Sequence, residues 1–426
     1  MKKLVMILLF LLPLMNPVVL PHKNDEEWCF AIITDLHIGR GYPNYTGENY
    51  YLTERLEKVV EWINQNNKIK FVAVLGDIAD SGEYSEMKKA KEILDRLHVP
   101  YFPVIGNHDV WFGKEKPIGE NFFKKVFNES FIKDQLKRLH AEWEDVNIEN
   151  FYNYAFGYRN ITFLVLDFVD RKKAPGHHGI LHNDTFYSLQ KWLNLSSTEG
   201  NPVIIFSHHP MVIPKLWCFP IWKYIAIRIA TFEKEDLTKI EGLFRKTGAR
   251  VLANFAGHIH GFYDPETIFV PIVRNPFFIE ANKNYKLLGY TPAHIDVVTT
   301  EALMVASNEK KPKGIIRLVK IRDGSIDFDN VCVNFTALNP YFKKIIRQGD
   351  TLEVEAYAFA KLFSAERPGK YTLYLDGVKA VEKTTSKWWK PVSFMINCKA
   401  YRNITLEVEL KLPEGTIAES ISRSIP

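Results

Sequence analysis

The sequence predicts an α/β domain followed by an all-β module, and three observations predict it. Apolar runs of strand length alternate with segments of helical spacing from Trp28 to about Arg322, the pattern of helices packed on a sheet. Five of the apolar runs end in oxygen or imidazole side chains, at the strand ends where open α/β sheets place their chemistry. Beyond Arg322 short strand-like runs follow one another between turn signals. On this reading residues 1–20 are a leader, 25–322 the α/β domain and 323–426 a β-sandwich accessory domain.

Met1-Lys2-Lys3 and the apolar run from Leu4 to Leu20 form a basic start and a hydrophobic stretch, interrupted late by Pro13, Asn16 and Pro17. This is the pattern of a secretory signal or an N-terminal membrane anchor. No small-x-small cleavage site marks its end, so cleavage and retention both stay open. No Cys follows closely, which argues against lipid anchoring. The expected location is extracytoplasmic, secreted or membrane-anchored. Seven Asn-x-Ser/Thr triplets, at Asn44, Asn128, Asn160, Asn183, Asn194, Asn334 and Asn403, are consistent with export, although chance supplies some of them. The chain has 426 residues and a net charge of +5. With no dense Lys/Arg cluster and no basic-aromatic interleaving, it favours no nucleic-acid partner.

From Trp28 the elements follow in order. Ala31 to Thr34 reads as a strand and runs into Asp35-Leu36-His37. Leu52, Leu56, Val59, Val60 and Ile63 space a crossover helix over 52–65. Phe71 to Leu75 is a strand running into Gly76-Asp77-Ile78-Ala79-Asp80, and a helix over 85–97 follows. Pro100 to Ile105 is a strand ending in a tight bend at Gly106-Asn107-His108-Asp109. One or two helices occupy 121–143. A strand occupies 161–168 and a helix 186–195. Val203 to Phe206 runs into Ser207-His208-His209-Pro210. Last come a helix over 234–247 and a strand, Val251 to Ala256, running into Gly257-His258-Ile259-His260.

Asp35 and Asp77 offer hard anionic oxygens, Asn107 a neutral one, and His37, His208, His258 and His260 imidazoles. That mixed set suits iron, manganese, zinc or cobalt better than calcium. The i, i+2 spacing of Asp35/His37 and His258/His260 aims both side chains the same way in extended backbone. In order the blocks read DxH, GD, GNHD, HxP, GHxH, and they resemble the calcineurin-like metallophosphoesterases with a dinuclear metal centre. The resemblance covers roughly residues 28 to 320. It implies two mixed sheets face to face with helices outside, a four-layer α/β/β/α sandwich, and two transition-metal ions at the strand ends.

Carried onto this chain, the resemblance implies that Asp35, His37, Asp77 and His260 hold one ion. Asp77, Asn107, His208 and His258 would hold the other, with Asp77 shared. Pro210 lies two residues beyond His208, which favours His208 over His209 for the HxP role. His108 would protonate the leaving oxygen or stabilise the phosphoryl group, oriented by Asp109. A hydroxide between the ions would attack phosphorus in line. The implied substrate is a small phosphodiester or phosphomonoester. The competing readings are a nuclease of the same superfamily and a degenerate site kept as a binding module.

Two departures narrow the branch. Purple acid phosphatases carry a Tyr three residues after the GD aspartate, where this chain has Asp80. Ser/Thr protein phosphatases have GNHE, where this chain has Asp109. The segment Leu166-Asp167 to Gly176-His177-His178-Gly179 is similar to the His-rich loop of the cyclic-nucleotide phosphodiesterase branch. By that likeness His177 or His178 contacts substrate, with His209 nearby; the alternative is a surface loop. The aromatic insertion from Met211 to Ala230, with Trp217 and Trp222, is a lid, a lipid-facing patch or a packing surface. In the C-terminal module strands are expected at 326–335, 351–358, 370–375, 388–396 and 404–412. Cys332 and Cys398 lie in two of them, as a disulfide or as two buried thiols.

Overall fold

The computed structural model describes residues 27–39, 53–113, 116–174, 176–214, 231–258, 289–290, 295–300, 303, 313–322, 325–336, 339–359, 369–385, 391–399, 401–412 and 415–425. The leader, most of the aromatic insertion, Asn44, Cys218 and His260 lie outside them.

The elements run β1 (Trp28–Ile33), α1 (Glu54–Asn64), β2 (Ile69–Val74), α2 (Tyr84–Leu94), β3 (Tyr101–Pro103), α3 (Asn107–Val110), α4 (Gly119–Val126) and α5 (Glu129–Leu139). Next come β4 (Trp143–Asn147), β5 (Asn153–Tyr158), β6 (Ile161–Leu166), α6 (Asn183–Glu199), β7 (Val203–Ser207), β8 (Ile213–Pro214), α7 (Lys234–Thr247) and β9 (Val251–Ala256). β10 (Gly289–Tyr290), β11 (Asp296–Thr299), β12 (Lys313–Arg322) and β13 (Ser325–Thr336) complete the α/β part. The region 121–143 resolves into α4, α5 and the start of β4. The GNHD block opens a one-turn helix rather than a simple bend. β4 and β5 escape the sequence reading. β4, WEDVN, is a polar edge strand with no clean alternation, and β5, NYAFGY, is almost wholly buried.

Among the described residues two large sheets form this part, and β8 and β10 pair antiparallel as a short ribbon of their own. The first has the order β13-β12-β1-β2-β3 and the second β11-β9-β7-β6-β5-β4. The neighbours β1, β2 and β3 are parallel, as are β6, β7, β9 and β11. Parallel strands carry their loops to one edge, so the ends of β1, β2 and β3 share an edge, as do those of β7 and β9. A single core joins the sheets: Phe30 and Phe71 of the first stack at 4.8 Å, and Phe163, Phe206 and Phe255 of the second meet Phe30 edge-on. Leu56, Val59, Met87, Ile93 and Ile132 of the helices join the same core. A second core lies between Leu164, Leu166, Val203 and Ile205 of the second sheet and Trp192, Leu193, Ile240 and Phe244 of α6 and α7.

β13 corrects the sequence reading. The strand expected to open the C-terminal module pairs antiparallel with β12, from Ile321↔Ile326 to Ile315↔Cys332, and so extends the first sheet. The module beyond it has one sheet of β14 (Asn339–Gln348), β15 (Thr351–Phe359) and β18 (Val392–Asn397). A second has β16 (Gly369–Leu375), β17 (Val378–Thr385), β19 (Asn403–Leu412) and β20 (Gly415–Ser424). Leu352, Val354, Phe394, Tyr371, Leu373, Leu406 and Val408 from both sheets share its core. Cys398 is a buried free thiol, so the alternative of a disulfide with Cys332 is not formed. Among the described residues no helix is long and apolar enough to cross a membrane.

Glu86 closes the first turn of α2. Its carboxylate accepts from the Ser81 and Glu83 backbone amides at 2.9 and 3.2 Å, and the residue is 1% exposed. Burial pushes its pKa from 4.5 up to about 8; the Ser81 amide opposes the rise and the nearby Asp80 adds to it. The unfolded chain therefore ionises Glu86 well below the pH at which the folded chain does. Between those values the unfolded state binds fewer protons, so stability falls as pH rises. Glu86→Gln removes this dependence. In urea unfolding at pH 5 and pH 8, the variant should gain on the wild type by on the order of 1–4 kcal/mol; a gap that does not change with pH would refute the assignment.

Candidate metal centre

The ligand blocks are bound to one another through their backbones. The amides of Asp35, His37 and Ile38 donate to the carbonyls of Gly76, Asp77 and Ile78 at 2.8–3.0 Å, so the loop after β1 lies along the loop after β2. The Gly257 amide donates to the His208 carbonyl at 3.0 Å, joining the loops after β7 and β9. The two pairs meet where the His258 amide donates to Asp35 Oδ2 at 3.1 Å. Asp35, His37, Asp77 and His258 all have left-handed backbone, with φ of 52, 42, 49 and 68°. Non-glycine residues avoid that region unless the surroundings over-determine it, and such strain gathers at working sites.

Two motif glycines make the crowding possible. A Cβ at Gly106 would lie 2.2 Å from the Asp77 nitrogen and 2.3 Å from its Oδ1. A Cβ at Gly257 would lie 2.0 Å from Thr34 Oγ1 and 2.6 Å from Asp35 Oδ2. All four distances are too short for a real side chain. The Gly of GNHD thus admits the GD aspartate, and the Gly of GHxH admits the DxH aspartate.

Donor atoms converge at the seam. His208 Nε2 lies 3.0 Å from Asn107 Oδ1, 3.1 Å from His258 Nδ1 and 3.3 Å from Asp77 Oδ2. His37 Nε2 lies 3.8 Å from the same Asp77 oxygen. Atoms of His37, Asp77 and His108, and of Asp77, His208 and His258, fall within 4.8 Å of one another. Donors bonded to one transition metal at ~2.1 Å stand roughly 3 Å apart, so this set fits such an ion. The distal nitrogens agree. His208 Nδ1 donates to the Leu75 carbonyl at 2.8 Å, which turns the Nε2 lone pair toward the cluster. His37 Nδ1 lies 3.1 Å from Asp80 Oδ1, the carboxylate-imidazole support common around metal ligands. Burial opposes a charge on His208, yet Asp77 outweighs it and raises its pKa to about 9. The pocket calls for positive charge, and a divalent ion meets that demand.

The partners of His108 differ from expectation. Its Nδ1 donates to the Asp80 carbonyl at 2.5 Å, and its ring meets that of His37 edge-on at 4.6 Å. Asp109 instead accepts from the Ala79 and Gly106 amides at 2.8 and 2.9 Å. Burial and the nearby Asp77 carboxylate push its pKa up. Asp109 therefore holds the loops together, and the contact expected of it on His108 is made by the backbone carbonyl of Asp80. In the sequence Asp80 closes the GD run and stands where a Tyr is absent, with nothing to mark it as a partner of His37 or His108. Thr34 was also missed: its hydroxyl donates to Asp35 Oδ2 at 2.7 Å, and a Thr ahead of DxH carries no signal of its own.

The His-rich loop lies against the same cluster. The His177 carbonyl accepts from His258 Nε2 and the Gly176 carbonyl from His209 Nε2, each at 3.0 Å. The exposed His177 ring stands 6.5 Å from that of His258; partial burial and His108 lower its pKa. His178 turns its Nδ1 toward the Thr231 carbonyl at 3.4 Å. His209 is fully buried and kept neutral by burial and by His208. Of the three, His177 stands at the rim, whereas His209 supports the loop from beneath. Asp167 and Glu120 clamp Arg171 at the start of the loop at 2.6 and 3.1 Å.

Gly257→Ala should disconnect Asp35 from the cluster without disturbing either core. We expect bound metal measured by mass spectrometry to fall by about one ion per chain, with far-ultraviolet circular dichroism unchanged. Full metal occupancy in this variant would show that the close approach is unimportant.

Comparison with known proteins agrees with this geometry. A manganese-dependent ADP-ribose/CDP-alcohol diphosphatase of Xenopus laevis is 27% identical over 201 residues, 43% of this chain and 56% of that protein. A "probable cyclic nucleotide phosphodiesterase" of Rhodopseudomonas palustris is 26% identical over 183 residues, 42% of this chain and 57% of that one. A "probable glycerophosphodiester phosphodiesterase" of Arcobacter nitrofigilis is 25% identical over 197 residues, 46% of this chain and 59% of that one. The chain thus spans little more than half the length of these curated relatives. Residues 30–262, over half of the chain, match the family model of the calcineurin-like phosphoesterases. With five ligand blocks in order and their donors gathered at one seam, the chain belongs to the calcineurin-like phosphoesterases.

Proposed function

We propose that this protein is an exported, metal-dependent hydrolase of phosphoric esters, with a small phosphodiester as the favoured substrate. The observation that carries the reading is the convergence of Asp77, Asn107, His208 and His258 on one point, with His37 and Asp35 beside it. The proposed domain frame is a four-layer α/β/β/α unit bearing a β-sandwich. The supporting observations are one core between the sheets, one beneath α6 and α7, and one within the C-terminal module. Support for the diester comes from the relatives, two of which are named as diesterases and one as a diphosphatase.

Asp35, His37, Asp77 and His260 would hold one divalent ion, and Asp77, Asn107, His208 and His258 a second, each Mn, Fe, Zn or Co. Such ions supply a nucleophile from water at neutral pH and neutralise the phosphoryl oxygens. The side chains do the rest. His108, fixed through Nδ1 on the Asp80 carbonyl, presents Nε2 to the leaving oxygen and delivers its proton. His177 at the rim contacts the ester substituent. Thr34 and the His258 amide hold the Asp35 carboxylate in one orientation.

The test is paired hydrolysis of a bis-aryl phosphodiester and an aryl phosphomonoester by protein stripped of metal and reloaded with Mn²⁺, Zn²⁺ or Fe²⁺. Metal-dependent turnover, faster on the diester and reduced roughly 100-fold or more by Asn107→Ala, is expected. Absence of turnover with two ions bound would favour a binding module. His108→Ala gives a sharper check. Its loss should be small with 4-nitrophenolate as leaving group and about 10²-fold or more with an alkoxide, which needs the proton. Equal losses would remove His108 from the acid role.

A further inference from the structure

We propose that Asn160 carries an N-linked glycan, attached before the chain folds; the inference rests on the export reading above. With 27 Asn and 35 Ser or Thr in 426 residues, chance supplies about two Asn-x-Ser/Thr triplets, yet the chain has seven. Asn128, Asn160, Asn183, Asn194 and Asn403 all have exposed side chains, as a modified Asn requires.

Among them, Asn160-Ile161-Thr162 has a feature that the fold does not explain. Arg159 and Asn160 form the two-residue turn between β5 and β6, with φ of 49 and 58° and Tyr158 paired to Ile161. Asn suits such a turn, so the turn accounts for Asn160. It does not account for Thr162. Thr162 is fully buried in β6, between Gly157 and Val203 of the neighbouring strands. Its Oγ1 is buried without a hydrogen-bond partner among the described residues. A buried hydroxyl with no partner costs stability, and Val has the same shape without that cost. Other triplets have hydroxyls with structural partners: Thr185 donates to the Asp167 carbonyl, Ser196 to the Trp192 carbonyl, and Thr405 meets Ser422. Among the described residues the folded chain gives the Thr162 hydroxyl no partner, whereas the unfolded triplet offers it to a transferase.

In the transfer, Asn160 Nδ2 bonds to the anomeric carbon of a lipid-phosphate-linked oligosaccharide. The anomeric carbon–oxygen bond to that phosphate breaks, the lipid phosphate leaves with the electron pair, and the amide proton passes to a base of the transferase. Asn160 precedes the N-terminal end of β6. His208 follows the C-terminal end of the parallel β7. The glycan therefore stands at the opposite edge of the sheet from the metal centre, and Asn160→Gln should hydrolyse ester at the wild-type rate.

The experiment is fractionation and glycopeptide mass spectrometry of the protein from the cells that make it. An exported chain with a sugar mass on the Asn160 peptide, lost in Thr162→Val and kept in Thr162→Ser, is the expected result. An exported chain unmodified at Asn160 overturns the proposal and leaves export standing; a chain found only in the cytosol overturns both. A second readout uses protein made without glycan. Thr162→Val should there raise the melting temperature by about 2 °C or more. A lower melting temperature would show a structural role for the hydroxyl, for which the indole of Trp143 across Gly157, itself unpaired among the described residues, is a candidate, and would also overturn the argument.

Discussion

Two fully buried carboxylates, Asp35 and Asp77, govern the architecture of this protein. Buried anions are costly unless matched by charge and hydrogen bonds. Here the matching comes from four loops at once: Thr34 and the His258 amide on Asp35, the His108 amide and the imidazoles of His208 and His37 on Asp77. The left-handed backbone at the ligand residues and the side-chain-free approach at Gly106 and Gly257 are consequences of bringing those loops so close. The raised pKa of His208 expresses the same imbalance in a protonated form.

Such strain needs a rigid base. The aromatic stack between the sheets supplies it, with Phe30, Phe71, Phe163 and Phe206 packed on one another. Each of these residues lies on a strand that ends in a ligand block or pairs beside one that does. A shift of one strand would therefore move a ligand, and close packing resists that shift.

The rim is built differently. The His177 loop meets the candidate metal centre through backbone carbonyls that accept from His209 and His258, and is held at its start by Asp167, Glu120 and Arg171. Its carbonyls make the support, and its His177 ring is left exposed at the rim. A loop held through its backbone can vary its side chains over a fixed site, the division of labour expected of loops on a rigid scaffold.

The alternation of strands and helices, the five ligand blocks and the presence of an all-β module were legible in the sequence, because each depends on local periodicity or on a contiguous motif. Lys234 to Thr247 is helical over the same residues in the chain and in the fold. What failed depends on distant partners. β13 looks like a strand of the last module, and only its pairing with β12 places it in the first sheet. β17 and β20 face solvent on polar positions and carry little hydrophobic pattern. His108 and Asp109 are adjacent in sequence, yet the turn of α3 sends Asp109 to the Ala79 and Gly106 amides and leaves His108 to Asp80, 28 residues away. The sequence by itself determined which residues can bind metal, since ligand chemistry resides in the side chain. Only the tertiary structure decided which group supports which imidazole, the Asp80 carbonyl for His108 and its carboxylate for His37, since that depends on where separate strands end relative to one another.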